Sequence, residues 1–363
     1  MPELEADGGF QEYRDQIDRI DTEILDLVNR RIECARSIGE LKGRSGTPDY
    51  YRPEREAQVL NRLVAHNRGP LDRAAVAQLF REIISLGRSA EIGLTAAYLG
   101  PDGSYSHAAA LKHFGRSVRG AAQASIDEVF RAVESGAADY GVVPVENSFE
   151  GGVTNTLDRF VDTPLRICGE NLLRVRHCLL SRAPDLSSVD RVLGHNQALA
   201  QCRQWLASNL PQATAFAASS SSEAARQASE DPTAAAIAGE SAAALYAMPL
   251  LAQNIEDSPG NTTRFLVIGA LDPAPSGADK TSLVLSARNR AGALYRLLQP
   301  LAEHGVSMTR IESRPSRKGL WEYVFFIDLE GHIRDQKVAR AFARLEAEAS
   351  LVKLLGSYPR AVP

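Results

Sequence analysis

The chain has 363 residues, of which 44% are hydrophobic and 24% charged, and its formal net charge is −4. This length predicts two or three domains, and the composition is typical of a folded soluble protein. The small negative charge argues against nucleic acid or an anionic membrane surface as a partner. We find no apolar run long enough to span a bilayer and no signal-peptide pattern at the N-terminus, so we expect a cytoplasmic protein.

The four cysteines show neither a CxxC pair nor the spacing of metal ligands. They are Cys34, Cys168, Cys178 and Cys202. We therefore expect buried, reduced thiols, and we expect the protein to need no metal and no cofactor.

Residues 11–92 have the periodicity of helices. Apolar residues from Ile17 to Ile38 recur at three- and four-residue spacing, which predicts one long amphipathic helix. Pro53 begins a second helix, and the pair at positions 71–72 begins a third. A first helix of this length usually needs a partner chain to cover its apolar stripe, so we expect a homodimer or a higher homo-oligomer.

Several cations lie on this apolar stripe. At about 100° per residue, Arg31 and Lys42 fall in the middle of the stripe and Arg14 at its edge. A single long cationic side chain could extend its charged end into water. Three on one stripe, with Arg52 and Arg55 at the start of the next helix, favour a pocket for a dianion, because burying an unpaired charge is costly. On the third helix, Glu91 faces the same interior, where we expect it to be the only acid.

From residue 95 the pattern changes to alternating strand-like and helix-like segments, which predicts an α/β unit. The segments are residues 96–99, 108–114, 126–134, 141–145, 166–167, 177–180, 199–206, 235–237 and 266–268. The Ala/Ser-rich stretch 213–228 has the composition of a linker, but we predict a strand ending near Ala218 and then a Ser-capped helix.

Two segments of this unit carry groups that suit a small oxygenated anion. Glu146, Asn147 and Ser148 follow an apolar strand, although a surface turn is an alternative interpretation of them alone. The loop 100–107 leads from a strand into a helix, whose first N–H groups can bind an anion. Neither GK[ST] nor GxGxxG occurs, so the loop is not a nucleotide-binding loop.

Residues 280–358 alternate as strand, helix, strand, strand, helix, strand, which predicts the ferredoxin-like split arrangement. The elements are expected at residues 282–286, 291–303, 306–312, 323–329, 334–347 and 352–358. The Pro/Gly-rich stretch 271–279 before them is predicted to be a linker.

The cation set of the helical region resembles the all-helical class of chorismate mutase. The residues that carry the resemblance are Arg14, Arg31, Lys42, the run 51–56 and Glu91. The resemblance implies that Arg14, Arg31, Lys42, Arg55, Glu56 and Glu91 bind chorismate. Arginines bind carboxylates bidentately, and Arg31, Lys42 and a protonated Glu91 would be catalytic, the last two at the breaking ether oxygen. The family often has an acid at position 52 and glutamine at position 91, so this chain departs from the pattern at both.

The α/β unit resembles prephenate dehydratase over residues 96–270, through the segment 145–148 and the Thr-Arg-Phe sequence at 263–265. The resemblance implies a two-lobed fold like that of periplasmic solute-binding proteins, with the substrate between the lobes. It implies that Thr263 acts at the departing hydroxide and that Glu146, Asn147, Ser148, Gln201 and Arg264 line the cleft. Gly194 stands where the family often has serine. His195 beside it is either a site residue or an ordinary loop histidine.

Residues 280–358 resemble the ACT regulatory module, which binds L-phenylalanine at a dimer interface. The resemblance is carried by Gly292, Ala293 and Leu294 at a helix start, and by Glu312, Ser313 and Arg314 at a strand end. A helix cap and a strand end are the alternative interpretation of either motif alone. Both motifs occur in one βαββαβ unit after a Thr-Arg-Phe domain, which favours an effector site.

The whole chain therefore resembles the bifunctional chorismate mutase/prephenate dehydratases. We expect an all-α mutase domain at 11–92, an α/β two-lobed dehydratase domain at 95–271 and an α+β ACT domain at 280–358. The expected substrates are chorismate and prephenate, the final product is phenylpyruvate with loss of water and CO2, and L-phenylalanine is the expected feedback inhibitor. Three alternatives remain: a preference for arogenate, a solute-binding protein, and a regulatory protein with inactive catalytic domains.

Overall fold

The computed structural model describes residues 3–45, 51–91, 93–286, 291–315 and 323–362. Its N-terminal part consists of helices α1 (Glu3–Ser45), α2 (Pro53–His66) and α3 (Arg73–Glu91). Helix α2 has proline in its first turn together with Glu54 and Glu56, which favour a helix N-terminus. The three helices predicted from the sequence are thus confirmed.

Helix α1 is only partly covered by the rest of the chain. Its 43 residues correspond to a length of about 65 Å at 1.5 Å per residue. Its C-terminal half packs against α3, where Gly39 is buried. Apolar side chains along its first half are 45% to 69% exposed. These side chains are Phe10, Tyr13, Ile17, Ile20, Ile24, Leu25 and Leu27. They form a continuous apolar surface that a water-soluble chain does not normally leave open.

The α/β part has two lobes. The strands of the first lobe are β1 (Thr95–Leu99), β2 (Arg119–Gln123), β3 (Tyr140–Asn147), β4 (Gly151–Gly152), β5 (Arg166–Arg174) and β11 (Thr262–Gly269). They form a sheet in the order β2-β1-β3-β11-β5, with β4 paired to β3. Its helices are α4 (Tyr105–Phe114), α5 (Ile126–Glu134) and α6 (Thr154–Asp162).

The second lobe is built from the intervening residues. Its strands are β6 (Cys178–Ser181), β7 (Arg191–His195), β8 (Thr214–Ala218), β9 (Ala234–Ala238) and β10 (Leu250–Ala252), in the order β10-β6-β9-β7-β8. Its helices are α7 (Asn196–Gln201), α8 (Arg203–Asn209), α9 (Ser221–Ser229) and α10 (Glu240–Leu245), with a 3-10 turn at Leu186–Ser188. The chain crosses between the lobes at residues 175–177 and again at 253–261.

The predictions for the second lobe were largely correct. Strand β8 ends at Ala218, and Ser220 caps α9 by accepting a hydrogen bond from the backbone N–H of Glu223. The helix predicted at 199–206 is instead two short helices, α7 and α8, because the backbone leaves helical geometry at Cys202 (φ −113°, ψ 14°).

The C-terminal part has the predicted βαββαβ order. Its elements are β12 (Asp279–Ser286), α11 (Ala293–Glu303), β13 (Met308–Pro315), β14 (Tyr323–Glu330), α12 (Gln336–Glu348) and β15 (Leu351–Pro359). The strands form an antiparallel sheet in the order β13-β14-β12-β15, so β13 is an edge strand.

This C-terminal sheet packs directly on the first lobe and shares one apolar core with it. Phe326 and Leu355 of the sheet contact the same cluster as Val145, Phe160 and Leu266 of the lobe. The sheet and the first lobe therefore form one packed body. The segment predicted as a linker, residues 271–279, runs as coil up to the buried Asp279, which begins β12.

Cys168, Cys178 and Cys202 are buried, as predicted, but Cys34 is exposed. The prediction for Cys34 was wrong because its position on α1 faces the open space between the helices and not the covered side. Among the described helices none is long and apolar enough to cross a membrane.

Candidate active sites

The first candidate site is a cavity of about 620 Å³ enclosed by α1, α2 and α3. Its charged lining residues are Arg31, Lys42, Arg52, Glu54, Arg55, Glu56 and Glu91. The coil between the α/β part and the C-terminal sheet also contributes Ala274 and Pro275 to the wall. Five of the six residues expected to bind chorismate are therefore brought together from one chain.

Lys42 and Glu91 meet across the cavity, with Lys42 Nζ 3.5 Å from Glu91 Oε2. They can meet because α1 and α3 approach closely at Gly39, where a Cβ atom would lie 3.0 Å from Glu91 Cγ. Nearby, Arg31 donates a hydrogen bond from Nη1 to the carbonyl oxygen of Ile83 at 3.2 Å. The close packing of α1 against α3 thus holds Lys42 and Glu91 with both side chains facing the same cavity.

Glu91 is not the only acid of the cavity, contrary to the expectation from the sequence. Glu56 accepts a hydrogen bond from Arg88 Nη1 at 2.8 Å, and burial raises the pKa of Glu56 while Arg88 opposes that shift. Arg52, whose role the family pattern left open, pairs through Nε with Glu54 Oε1 at 2.8 Å. The periodicity argument did not include Glu54 and Glu56 because they lie on α2 and not on the apolar stripe of α1, and Glu56 was expected in the site only from the family resemblance.

Arg14 does not reach this cavity within one chain. It is exposed on α1 and lies about 25 Å from Arg31 along the helix at 1.5 Å per residue. Within one chain Arg14 therefore lies apart from the other five residues expected to bind chorismate, and its role in binding stays a prediction.

The second candidate site is a cavity of about 600 Å³ between the two lobes. Its polar lining residues include Ser104, Tyr105, Ser106, Asn147, Glu150, His177, His195, Gln197, Gln201, Ser219, Ser220, Ser221, Ser222, Glu223, Asn261 and Thr263. Among the residues that the structure describes, no lysine or arginine lines this cavity. The loop 100–107 lies in its wall, as expected for a loop that leads into a helix N-terminus.

A directed hydrogen-bond network connects Thr263 to neighbouring amides. Asn147 Oδ1 accepts hydrogen bonds from the backbone N–H groups of Phe149 at 3.0 Å and Glu150 at 3.2 Å. Asn147 Nδ2 must therefore donate, and it does so to Thr263 Oγ1 at 2.9 Å and to Asn261 Oδ1 at 2.7 Å. Because Thr263 accepts from Asn147, its own hydroxyl proton remains to be donated into the cavity.

Glu146 and Arg264, both expected in the cleft, lie on the other face of the sheet. Strands β3 and β11 pair antiparallel with Asn147 opposite Thr263 and Glu146 opposite Arg264. Successive side chains of a strand point to opposite faces. Asn147 and Thr263 therefore face the cavity while Glu146 and Arg264 face the C-terminal sheet.

Arg264 lies at the centre of a buried polar cluster between the first lobe and the C-terminal sheet. It donates to Glu170 Oε2 at 2.8 Å, to Asp328 Oδ2 at 2.5 Å and to the Tyr358 hydroxyl at 2.9 Å. Glu146 Oε2 lies 3.3 Å from Arg310 Nε of the edge strand β13. The Thr-Arg-Phe sequence thus combines a cavity residue with a residue that holds the C-terminal sheet.

Two further expected positions differ from the sequence interpretation. Ser148 does not line the cavity: its Oγ accepts a hydrogen bond from the backbone N–H of Thr262 at 3.0 Å. At Gly194 a Cβ atom would lie 3.1 Å from Leu199 Cγ, so the side chain of Leu199 fills the space that a serine would need. Serines 219–222 line the cavity, and the Ser222 hydroxyl donates a hydrogen bond to the carbonyl oxygen of Asp102.

The two effector motifs lie at the same end of the C-terminal sheet, because Ser286, the last residue of β12, and Arg314 of β13 are both paired with Val324 of β14. Gly292 precedes α11 with a left-handed backbone (φ 72°). Of the next two residues, Ala293 is half-buried and Leu294 is 39% exposed. Along β13, Ser313 is exposed while Glu312 and Arg314 are half-buried.

The side chains of Glu312 and Arg314 point toward the first lobe. Arg314 lies 3.2 Å from Asp158 and donates to Thr154 Oγ1 at 3.0 Å, and the Glu312 carboxylate lies against Gly152. Only Ser313 of the three motif residues on this strand therefore faces outward in one chain.

Sequence reasoning missed His177 and Tyr105 as cavity residues, and it left His195 undecided between a site residue and a loop histidine. All three line the interlobe cavity. His177 lies in a crossover between lobes, where no local pattern distinguishes a cavity residue from a core residue.

Comparison with known proteins gives consistent matches along the chain. A family model described as chorismate mutase type II matches residues 13–92, one described as prephenate dehydratase matches 96–273, and one described as ACT domain matches 281–347. A protein of Neisseria gonorrhoeae named bifunctional chorismate mutase/prephenate dehydratase is 52% identical, covering 96% of this chain and 97% of the relative. A protein of Stutzerimonas stutzeri with the same name is 48% identical, with 99% of both chains covered.

Among solved structures, a prephenate dehydratase from Arthrobacter aurescens in complex with L-Phe is similar to this chain. Its sequence identity is 37% and its TM-score 0.69, and the match covers 74% of this chain and 90% of that one.

Proposed function

Because the chain belongs to the bifunctional chorismate mutase/prephenate dehydratase family, we propose that the helical cavity is its mutase site and the interlobe cavity its dehydratase site. The enzyme converts chorismate to prephenate and prephenate to phenylpyruvate, with loss of water and CO2. The names of the relatives specify prephenate, which favours prephenate over arogenate. We assign residues 11–92, 95–271 and 280–358 to the mutase, dehydratase and ACT domains, in a cytoplasmic enzyme whose free thiols stay reduced.

In the mutase site, catalysis requires no covalent step by the protein. Chorismate is a dicarboxylate that rearranges internally, so the site must hold it folded and stabilise negative charge on the ether oxygen as its bond breaks. Arg31 and Arg55 are placed to bind carboxylates, and Lys42 and Glu91 meet where one cation and one acid can reach the ether oxygen.

The exposed apolar surface of α1 supports a homodimer in which Arg14 of each chain completes the mutase site of the other. Arg14 lies within the exposed stripe from Phe10 to Leu27. A second copy of α1 that covers this stripe in the antiparallel direction would bring its Arg14 toward the first chain's cavity, whereas a parallel copy would place the two Arg14 side chains beside each other. The site of one chain contains the other ligands but no Arg14, so a second copy is the simplest source of this cation.

Subunit complementation tests this arrangement. Homodimers of Arg14→Ala and of Lys42→Ala should each have little mutase activity. Co-expression of the two variants should restore about a quarter of wild-type activity, because half of the dimers are mixed and each mixed dimer has one intact site. Mutase assays on the purified mixture measure this. Co-expressed Arg31→Ala and Lys42→Ala are the matched control and should stay inactive, because both residues belong to the same chain's site. No recovery with the first pair would contradict the shared site.

The second mutase prediction concerns Glu91. Protonated Glu91 donates a hydrogen bond to the ether oxygen, whereas ionised Glu91 repels the developing negative charge and competes for Lys42. Glu91→Gln keeps a hydrogen-bond donor at this position and should retain most of the mutase kcat/KM, whereas Glu91→Ala removes the donor and should lower mutase kcat/KM by about 100-fold or more. Glu54→Gln, which changes another acid of the same cavity, should have little effect on mutase activity. Wild-type mutase activity in Glu91→Ala would remove Glu91 from the reaction.

In the dehydratase site, the observation that carries the proposal is the direction of the network around Thr263. Asn147 donates to Thr263 Oγ1, so the hydroxyl proton of Thr263 is free to be donated to the departing hydroxide. As CO2 leaves, the electron pair of its bond moves into the ring and expels the hydroxide from C4. No strong base is needed, which agrees with a wall made mainly of hydroxyls, amides and imidazoles. Its two carboxylates accept hydrogen bonds from other side chains, Glu150 from Gln197 and Glu223 from Arg226.

The substrate carboxylates can be held without a cation. The N-terminal residues of α4 and α9, from opposite lobes, both line the cavity. Helix N-termini offer free N–H groups and a partial positive charge to anions. An ion pair with arginine would stabilise the carboxylate more strongly before reaction than during its loss, which slows decarboxylation. One assay of the purified protein, chorismate to phenylpyruvate with and without L-phenylalanine, tests the whole assignment.

We further propose that L-phenylalanine inhibits by acting through the C-terminal sheet. Asp328 and Tyr358 of this sheet hold Arg264, which adjoins Thr263 on β11. Arg310 of β13 likewise contacts Glu146, which adjoins Asn147 on β3. A ligand that shifts the sheet between two positions therefore acts on the backbone of both cavity residues.

Gly292 provides a test of the effector site. Its left-handed backbone (φ 72°) costs an L-residue about 1–2 kcal/mol, so Gly292→Val should distort the turn before α11 and fill the space beside it. We expect L-phenylalanine to bind about tenfold more weakly or worse, with both uninhibited activities retained, as measured by dehydratase inhibition curves and calorimetry. Gly305→Ala is the matched control, because Gly305 has the same backbone (φ 62°) at the other end of α11. Equal inhibition of Gly292→Val and wild type would place the effector elsewhere.

A further inference from the structure

We infer that His177 is a positioning residue for the dehydratase reaction: its ring fixes the side-chain amide of Gln201 so that the amide nitrogen serves the interlobe cavity. The inference rests on the proposed dehydratase site, to which Gln201 belongs. It assigns a role to a buried histidine that lies in the crossover between β5 and β6.

The backbone of His177 is held by both crossovers between the lobes. Its N–H donates to Glu256 Oε2 at 3.0 Å, and its carbonyl oxygen accepts from the N–H of Ile255 at 2.9 Å. Residues 255 and 256 belong to the second crossover, so the two connections are joined at this histidine. Its ring is therefore presented from a fixed backbone.

The ring forms hydrogen bonds to side chains of both lobes. His177 Nε2 lies 2.9 Å from Gln201 Oε1 of the second lobe, and Nδ1 lies 3.1 Å from the Tyr105 hydroxyl of the first lobe. A carbonyl oxygen can only accept, so Nε2 must carry a proton. Burial lowers the pKa of His177, against the opposing effects of Gln201 and Glu256. The neutral ring then has its one proton on Nε2, and Nδ1 faces the Tyr105 hydroxyl, which itself donates to the carbonyl oxygen of Arg176 at 2.8 Å.

Gln201 Oε1 receives a second hydrogen bond, from Asn261 Nδ2 at 3.0 Å. The orientation of Asn261 is itself determined, since its Oδ1 accepts from Asn147. The amide oxygen of Gln201 is thus held between two donors on the protein side. Within the described parts of the chain, Gln201 Nε2 has no acceptor among the hydrogen bonds of the structure, so its two N–H groups are available to the cavity that Gln201 lines.

This orientation matters because the substrate is anionic and rich in oxygen. An amide nitrogen donates to such a molecule, whereas an amide oxygen repels it. Without the His177 donor, Gln201 Oε1 keeps one hydrogen bond in place of two and the amide can rotate to present its oxygen. His177 therefore contributes to catalysis through Gln201 and without touching the substrate.

Two substitutions of His177 distinguish its hydrogen bond to Gln201 from a contribution of its ring to packing. His177→Gln places an amide N–H near the position of Nε2 and should keep dehydratase kcat/KM within about threefold of wild type. His177→Asn places its N–H near the position of Nδ1, too short to reach Gln201, and should lose about tenfold or more. Both replace the ring by an amide at the same buried position. Equal losses in the two variants would overturn the inference.

A double-substitution cycle tests whether His177 acts through Gln201. In a Gln201→Ala background, His177→Asn should cause no further loss of dehydratase activity, because the amide it positions is gone. Independent, multiplying losses would overturn the inference. Gln201→Ala alone tests the site: if it keeps full dehydratase activity, the cavity assignment fails and not only the role of His177.

Gln201→Glu tests the orientation of the Gln201 side-chain amide, and this test does not depend on how well the histidine variants fold. It keeps an oxygen for His177 and replaces the cavity-facing nitrogen by a second oxygen, so dehydratase kcat/KM should fall by about 100-fold or more. Mutase activity of the same chain and thermal melting report folding. Retained dehydratase activity in Gln201→Glu would show that the nitrogen does not face the substrate and would overturn the inference.

Discussion

Replacing Thr263 by valine is expected to abolish phenylpyruvate formation while prephenate still accumulates from chorismate. The substitution keeps the branched shape and removes only the hydroxyl whose proton remains to be donated to the leaving group. Loss of a positioned proton donor lowers kcat by about 100-fold to 10,000-fold. Prephenate turnover and chorismate turnover, measured separately on the same purified protein, check this result.

Two neighbouring substitutions serve as controls for Thr263→Val. Thr263→Ser retains the hydroxyl and should keep most of the dehydratase activity. Thr262→Val removes a hydroxyl that donates to the carbonyl of Gly260 outside the cavity, at 3.2 Å, and should have little effect. If mutase and dehydratase activities fall together in Thr263→Val, the two reactions do not have separate sites.

Regulation is better tested by point substitutions than by deleting the C-terminal sheet. Phe326 and Tyr358 of this sheet pack in the same core as the first lobe. A chain ending near residue 271 would expose that core. It would also leave Arg264 with Glu170 but without Asp328, and an incompletely paired buried charge is strongly destabilising. Loss of activity in such a chain would therefore say little about the effector.

The element order and two cations of the helical cavity, Arg31 and Lys42, were predictable because both follow from local periodicity. Because Arg31 and Lys42 lie on the same apolar face of α1, the sequence predicted that they share a cavity, and they do. The βαββαβ order of the last domain follows from short alternating segments. Arg14 was on the same stripe yet lies far from that cavity. Periodicity shows which residues lie on the same face of a helix. It does not show which of them lie close enough along the helix to line the same cavity.

The faces of β3 and β11 were the main point that sequence reasoning missed, although a physical rule was available. Adjacent residues of a strand cannot face the same side, so Thr263 and Arg264 cannot both line one cleft. The rule does not say which of the two faces the substrate, because that depends on what covers the other face. Here the C-terminal sheet covers it, and Asp328 and Tyr358 come from distant parts of the sequence.

His177 shows a different limit. Its neighbours in the structure are Tyr105 of the first lobe and Gln201 of the second lobe, which are 72 and 24 residues away in the sequence. Nothing in the local sequence distinguishes such a histidine from one packed in a core. Contacts between side chains of two different lobes have no local signature in the sequence.

Replacing Lys42 by methionine is expected to lower mutase kcat/KM by about 100-fold to 1,000-fold and to leave prephenate dehydration unchanged. Methionine has a similar length and no charge, so the change removes the cation that we propose stabilises the ether oxygen. Lys42 is three-quarters covered and pairs with Glu91 across the cavity. Arg36→Met, which removes an exposed cation of the same helix outside the cavity, is the matched control and should retain mutase activity.

The ion pair with Glu91 adds a second effect that the experiment must separate. Lys42→Met leaves Glu91 facing the substrate without its cation, and this repulsion alone could reduce binding. The double variant Lys42→Met/Glu91→Gln removes the repulsion but does not restore the cation, so we expect it to regain thermal stability and to remain a poor mutase. If the double variant recovers wild-type mutase activity, the loss in Lys42→Met came from the unpaired carboxylate, and Lys42 would be a partner of Glu91 and not the group that stabilises the ether oxygen.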